Sequence, residues 1–157
     1  MLFTPRLKGL GKENFLRLGD QEEATGIFKG EIYTFKQHWV DGRGSECSGP
    51  GCQMCANDPE HYPAFRFRVN FILSNNGQLA AKIFEGGGGI YDSLVNLEKK
   101  FDLSKTIIDI SRSGTKKNTK YQILPRSDIP VTQEMESKFK SIQLHQLSTA
   151  SNATGAA

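Results

Sequence analysis

Three cysteines and a histidine within one short stretch are the residues of this chain best suited to chemistry. Residues 38–55 read His-Trp-Val-Asp-Gly-Arg-Gly-Ser-Glu-Cys-Ser-Gly-Pro-Gly-Cys-Gln-Met-Cys and hold every cysteine of the 157-residue chain. Cys52 and Cys55 form a C-x-x-C pair, and Cys47 lies five residues before Cys52. Three thiolates and one imidazole are a common tetrahedral ligand set for zinc in a structural role. The spacing therefore predicts one structural zinc ion.

The fourth zinc ligand is a choice between two histidines. His38 ends a β-rich run upstream of the cysteines, whereas His61 follows Cys55 by six residues. We favour His38 and keep His61 as the alternative. The glycines and the proline between residues 42 and 51 allow the tight turns that such a site needs.

Other uses of the cysteines fit the sequence less well. A disulfide would leave one of the three thiols unpaired, and no signal peptide is recognisable. A redox C-x-x-C usually accompanies a βαβ pattern, which this sequence lacks. Ordinary packed thiols remain an alternative. A zinc deaminase requires a His-x-Glu signature and one zinc position left for water, but His38 is followed by Trp39 and Val40. We therefore expect a protein without enzymatic activity.

The positive charges are concentrated, although the formal net charge is only +3. Residues 62–82 and 111–127 contain basic side chains and no acidic ones. A like-charge run is often only a solvated face, but two runs interleaved with aromatic residues favour a nucleic-acid surface. No apolar stretch approaches the length of a membrane span. We expect a soluble protein of the reducing cytoplasm, which would be the host's if a phage encodes the chain.

The histidine and the aromatic residues must be positioned by strands. Residues 26–40 carry the longest β signal, and Gly30 inside this run predicts a bulge or bend. Strand periodicity places Trp39 on the face opposite His38, together with Tyr33 and Phe35. That face is either core or binding cleft, and we favour the cleft.

Further elements follow from local patterns. Residues 64–73 alternate, with apolar side chains on one face and Arg66, Arg68 and Asn70 on the other, which we expect to present its guanidinium groups. Residues 75–77, Asn-Asn-Gly, predict a hairpin turn. We also predict strands at 14–18, 78–84, 106–112 and 119–124 and helices at 90–101 and 132–147. Glycines 86–89 open the first helix, as turn residues or as a phosphate contact.

Five or six strands with one internal helix predict a mainly β fold, a small Greek-key barrel of the OB type. We divide the chain into a basic flexible arm (1–13), an OB-fold domain (14–126) with a zinc-binding insertion (38–62), a C-terminal helix (127–147) and a disordered tail (148–157).

Several motifs together resemble one family. The order Phe-Lys-Gln-His-Trp-Val, Glu-Cys-Ser-Gly-Pro-Gly-Cys-Gln-Met-Cys, Arg-Phe-Arg-Val-Asn-Phe-Ile-Leu and Asp-Ile-Ser-Arg-Ser-Gly is similar to the zinc-containing single-stranded DNA-binding proteins of tailed bacteriophages. The resemblance covers roughly residues 14–125. It implies an OB-fold with zinc on His38, Cys47, Cys52 and Cys55 and DNA in a basic, aromatic-lined cleft. Such proteins often recruit replication partners through an acidic C-terminal tail, whereas this sequence ends Asn-Ala-Thr-Gly-Ala-Ala.

The function we expect is sequence-tolerant binding of single-stranded DNA, protecting it during replication, recombination and repair, with replication or recombination proteins as further partners. Aromatic side chains would stack on bases, and basic ones would hold phosphates. The stacking candidates are Tyr33, Phe35, Trp39 and Tyr121. The phosphate candidates are Arg66, Arg68, Lys82, Arg112, Lys116, Lys117 and Lys120. The alternative is a zinc-stabilised adaptor that binds protein, or a transcription factor, of a phage or mobile element.

Overall fold

The computed structural model describes residues 12–40, 42–60 and 62–148. The predicted arm, apart from its last two residues, lies outside this range, as do His61 and all but the first residue of the predicted tail. The strands are β1 (Glu23–Val40), β2 (Arg43–Glu46), β3 (Ala64–Asn75), β4 (Gln78–Gly87), β5 (Ile108–Ser113) and β6 (Lys120–Pro125). The helices are α1 (Gln53–Asn57), α2 (Gly88–Glu98) and α3 (Gln133–Lys140).

All six strands form one antiparallel sheet, which confirms the prediction of a mainly β fold. The strand order is β4-β3-β1-β5-β6, and β2 pairs with the C-terminal part of β1. Among the described residues no strand pairing joins β4 to β6. The rings of Phe84 on β4 and Tyr121 on β6 nevertheless lie 5.9 Å apart between centroids. The two ends of the strand order therefore approach each other.

The long strand β1 links the sheet to the cysteine-rich segment. Its first residues pair with β5, and its later residues pair with β3 and β2. The register against β3 shifts between Lys29 and Tyr33, around Gly30 with a φ of 80°. A positive φ strains residues with a Cβ, so glycine suits this position. The predicted bulge at Gly30 is confirmed.

Two hydrophobic clusters lie on opposite faces of the sheet. The larger one contains Phe28 of β1, Phe67 and Phe71 of β3 and Phe84 of β4, together with the buried Leu94 of α2. The predicted apolar face of this helix is confirmed, because Ile90, Leu97 and Phe101 also pack there. The smaller cluster joins Ile27, Ile72 and Ile107 to Phe139 of α3. The predicted hairpin turn is also confirmed, with Asn76 and Gly77 both at positive φ.

Two predicted elements are wrong in kind or extent. Residues 14–18 do not form a strand: a 3-10 turn, Lys12–Asn14, precedes one isolated bridge between Phe15 and Ile83. The last helix ends at Lys140 instead of residue 147. The residues that follow lack regular secondary structure, and side chains of β3 form hydrogen bonds with the backbone of His145 and Leu147. We call residues 141–148 the C-terminal strap.

The C-terminal strap crosses the outer face of β3, which we had predicted to be open. The Asn70 side chain donates to the His145 carbonyl (2.9 Å) and accepts from the His145 backbone N–H (2.8 Å). Arg68 donates to the carbonyl of Leu147 at 3.0 Å. Arg68 and Asn70 are consequently buried, with 7% and 3% of their surfaces exposed. The prediction that this face presents the Arg68 guanidinium group to solvent is wrong.

Candidate metal centre

The four predicted ligands are brought together by the β1–β2 hairpin and the segment that follows it. His38 lies near the end of β1, Cys47 directly follows β2, and Cys52 and Cys55 lie at the start of α1. The Cys47 backbone N–H donates to the Lys36 carbonyl at 2.7 Å, which holds the end of the hairpin against β1. Gly49 and Gly51, with φ of 84° and 83°, make the turn between Cys47 and Cys52.

The ligand atoms have the spacing of a single tetrahedral site. The Sγ atoms of the three cysteines and a ring nitrogen of His38 all lie within 4.8 Å of one another. His38 Nε2 is 3.4 Å from Cys55 Sγ and 3.6 Å from Cys52 Sγ, and Cys47 Sγ is 3.5 Å from Cys55 Sγ. Metal–ligand bonds of about 2.0–2.3 Å place tetrahedral ligand atoms roughly 3.5–3.8 Å apart. The four residues therefore form one candidate metal site with a complete ligand set.

The electrostatics of the Cys52 and Cys55 thiols favour a bound cation. Hydrogen bonds from the backbone N–H groups of Cys55 and Ser48 lower the pKa of the Cys52 thiol to about 5. The neighbouring Cys47 side chain, together with burial, raises the pKa of Cys55 to about 11. One sulfur thus ionises readily, while its neighbour resists a second negative charge. A divalent cation removes this conflict, because it stabilises all its coordinated thiolates at once.

Two aromatic rings are exposed near the metal ligands. Trp39 is 66% exposed and lies on the β1 face opposite His38, which is 6% exposed. Tyr62, just before β3, is 89% exposed. Both residues line a cleft of about 390 Å³ together with Met54 and Asp58. Sequence reasoning missed Tyr62, because the turn-rich connector that contains it has no periodicity to mark a surface.

The other stacking candidates are covered by protein. Phe35 is 8% exposed; its ring stacks with that of Tyr33 at 5.5 Å between centroids, and the guanidinium group of Arg68 lies over it at 4.2 Å. The Tyr33 hydroxyl donates to Glu46 at 2.8 Å. Tyr121 is half-buried against Phe84. Of the four predicted stacking residues, Trp39 offers by far the most open ring.

Most of the basic candidates have structural partners. Arg68 forms ion pairs with Glu46 at 2.9 Å and Glu85 at 2.8 Å, and Arg66 pairs with Glu85 at 3.1 Å. Lys82 donates to the backbone carbonyl of Glu13 at 2.7 Å. These contacts hold the cations to the fold, so they are poorly placed to meet phosphates.

The hairpin between β5 and β6 carries open lysines. Arg112, at its base, donates to the Leu18 carbonyl. Lys116, Lys117 and Lys120 are exposed, and none forms an ion pair with any described residue.

Asp20 holds this hairpin to the rest of the fold. It accepts a hydrogen bond from the Gly114 backbone N–H at 2.8 Å, and this bond lowers the pKa of Asp20.

Lys120 and Tyr121 also border a groove of about 940 Å³ between α2 and β6. Lys99 and Lys100 line the same groove and add positive charge that sequence reasoning missed.

Comparison of the chain with protein-family models, with curated proteins and with solved structures gave no match. Within the described part of the chain, no helix combines the length and the apolar character required to cross a membrane.

Proposed function

We propose that this chain is a sequence-tolerant single-stranded DNA-binding protein, built on an OB-type barrel and stabilised by one structural zinc ion. The proposal rests on the strand order, on the chemistry of two loops and on the metal ligands.

The strand order supports an OB-type barrel. If β2 is counted with the metal-binding insertion, five strands remain, and β1 pairs with both β3 and β5. Helix α2, between β4 and β5, contacts β3, β4 and β6. A five-stranded, partly open Greek-key barrel is the description of the OB-fold. The approach of Phe84 to Tyr121 fits a barrel that is open between β4 and β6.

The proposal depends mainly on the exposed side chains of the two loops that would face DNA. OB-folds bind oligonucleotides with the face of barrel strands two and three and with the loops between strands one and two and between strands four and five. The C-terminal strap covers the outer face of β3, the second barrel strand, so the two loops are the open part of this surface. Here the first loop is the segment between β1 and β3 that carries the three cysteines; the exposed ring of Trp39 comes just before it and that of Tyr62 lies near its end. The second is the β5–β6 hairpin tip with its exposed lysines. Stacking and phosphate contacts are the two requirements for binding single strands without sequence preference.

Zinc is the metal that best suits the ligands. Thiolates and imidazole are soft or borderline donors, which zinc accepts in tetrahedral sites. Four protein ligands complete the coordination and leave no position for a reacting water. The metal would therefore stabilise the first loop without taking part in catalysis.

The test is a titration of zinc-loaded protein with fluorescent oligo-dT and with a duplex of equal length, at several salt concentrations. We expect oligo-dT to bind more tightly, with log affinity falling linearly with log salt at about −0.7 per phosphate contact. Failure to bind any oligonucleotide would contradict the proposal. The exposed apolar side chains of Trp39, Val40 and Tyr62 would then favour the alternative of a protein-binding adaptor.

A further inference from the structure

Strand β6 lies at one edge of the sheet, and its outer side pairs with no strand in the described part of the chain. Its inner side pairs with β5 along its whole length. The other edge of the sheet is covered, because the Leu16 backbone N–H donates to the Ile83 carbonyl of β4 at 2.8 Å. An uncovered edge presents backbone N–H and C=O groups on which a further strand can form.

The register identifies the backbone groups on this edge. Arg112 of β5 donates its N–H to the Glu22 carbonyl (2.9 Å) and accepts from the Gln21 N–H (2.8 Å), so its backbone faces away from β6. Residue pairs in an antiparallel ladder alternate between bonded and unbonded. Tyr121, which is opposite Arg112, therefore directs its N–H and carbonyl outward, as does Ile123 two residues later. These four groups have no hydrogen-bond partner among the described residues.

A groove of about 940 Å³ lies between this edge and α2. Residues 119–123 line it consecutively, so the edge of β6 borders the groove and not only one face of the strand. Ile90 and Leu97 of α2 and the side chains of Tyr121 and Ile123 supply its apolar surface. A groove beside a sheet edge can accept the alternate side chains of an added strand.

The charge of the groove is positive. Lys99 and Lys100, just after α2, and Lys120 of β6 line it; all three are exposed, and none forms an ion pair with a described residue. None of the residues that line the groove is acidic. Residues 1–11 and 149–157 also contain no aspartate or glutamate, so neither end of the chain matches this charge. A second copy of β6 would bring like charges together. A partner with acidic side chains complements the groove.

We propose that this groove binds an extended acidic segment of another protein, which adds a strand to β6. The segment would pair its backbone with Tyr121 and Ile123, place alternate apolar side chains in the groove and direct its carboxylates to the lysines. DNA suits the edge less well, because a phosphate backbone accepts hydrogen bonds but donates none to the edge carbonyls. None of the candidate metal ligands lines the groove, so this inference does not depend on the proposed function.

The test uses a fluorescent peptide of about seven residues that alternates glutamate with valine, which is long enough to span β6. Fluorescence anisotropy at low salt measures its binding to the zinc-loaded protein. Valines opposite Tyr121 and Ile123 would direct their N–H groups to β6. We therefore expect methylation of the valine nitrogens to weaken binding about tenfold, the effect of two lost hydrogen bonds. Methylation of the glutamate nitrogens is the control and should retain binding.

A pair of charge variants tests the lysines. Lys99→Glu combined with Lys100→Glu should weaken binding of the peptide about fivefold, since two exposed charge contacts become repulsive. Lys138→Glu combined with Lys140→Glu, on exposed positions of α3, makes the same change in net charge and should bind as the wild type does.

Amide hydrogen exchange keeps the test decisive if a charge variant does not fold. Saturating peptide should slow exchange of the Tyr121 and Ile123 amides in the wild-type protein. The inference would be overturned by absence of peptide binding, by equal weakening from the two methylations, or by unchanged exchange at both amides. Loss of oligo-dT binding in the Lys99 and Lys100 double variant, with displacement of the peptide by oligo-dT, would instead make the groove a DNA surface and would also overturn it. None of these results would contradict the proposed function.

Discussion

His38 and Trp39 are neighbours in the chain, yet strand geometry gives them opposite environments. The imidazole points to three thiols and is buried, whereas the indole on the other face of β1 is mostly in solvent. A single residue of register separates a candidate metal ligand from a solvent-exposed ring. This relation can be read from the sequence, because strand periodicity depends only on local geometry.

The metal ligands give the first prediction at this scale. Cys52→Ser and His38→Ala should each lose bound zinc and lower the melting temperature by about 5 °C or more, because metal binding contributes to folding and each kcal/mol corresponds to roughly 2–8 °C. Gln53→Ala, an exposed neighbour of Cys52, is the matched control and should keep its zinc. Metal analysis and thermal melting measure both. Loss of zinc in His61→Ala but not in His38→Ala would transfer the fourth ligand to His61.

Trp39 and Phe35 give a second prediction, because they share a strand face but differ in burial. Trp39→Ala should weaken oligo-dT binding by about 1–3 kcal/mol and change stability by about 0.5 kcal/mol or less. Phe35→Ala should instead cost about 3–5 kcal/mol of stability, because it leaves a cavity beneath Arg68. Chemical denaturation and oligonucleotide titration separate the two effects. Unchanged DNA affinity in Trp39→Ala would remove this ring from the binding surface.

The candidate metal ligands could be predicted from the sequence, whereas the partners of Arg68 could not. The reason is physical. Ligand identity follows from residue type and short spacing, which the sequence displays directly. The acceptors of Arg68 are Glu46, Glu85 and the carbonyl of Leu147, which lie far apart in the chain. Only the tertiary fold brings them together, so a basic strand face appeared open when it was covered.

At the scale of elements, the β5–β6 hairpin tip is the part of the fold best suited to phosphates. Its lysines are exposed, while the Asp20–Gly114 hydrogen bond holds the tip in place. Charge on a fixed loop binds a phosphate backbone at a lower entropic cost than charge on a mobile one. The tip therefore presents exposed lysines at a defined position.

The third prediction tests this hairpin. Lys116→Glu combined with Lys117→Glu should weaken oligo-dT binding and make the dependence of log affinity on log salt shallower by about 0.7 for each lost contact. Lys138→Glu combined with Lys140→Glu, on exposed positions of α3, makes the same change in net charge and is the control. Affinities measured at four or more salt concentrations give the slopes. Equal slopes for the two double variants would mean that only net charge matters.

Elements were predictable where their pattern was local. The β3–β4 hairpin follows from alternation and an Asn-Gly turn, both complete within a few residues. The last helix was predicted seven residues too long, because Ile142 and Leu144 continue an apolar pattern. These side chains do pack on the smaller hydrophobic cluster, but from the C-terminal strap. A hydrophobic periodicity shows which residues are buried. It shows less reliably which secondary structure those residues adopt.

At the scale of the whole molecule, composition and strand count were enough to predict a mainly β fold. The pairing of β1 with both β3 and β5 does not follow from composition or strand count, since it depends on contacts between distant segments. The C-terminal strap was also unforeseen, although it covers the outer face of β3 and fixes Asn70 with two hydrogen bonds. If the proposed function is correct, DNA should contact the loops instead of this covered sheet face.

The length of β1 also affects the order in which parts of the protein fold. Gln37 pairs with Glu46 nine residues later, whereas Gly26 pairs with Ile108, 82 residues later. Closing the larger loop costs about 2 kcal/mol more, since each doubling of length adds about 0.6 kcal/mol. One end of this strand should therefore find its neighbours, and capture its metal, well before the other end does. Pulse-labelled hydrogen exchange during refolding should show the Cys47 amide protected ahead of the β1–β5 amides, and simultaneous protection would mean that β1 forms in one step.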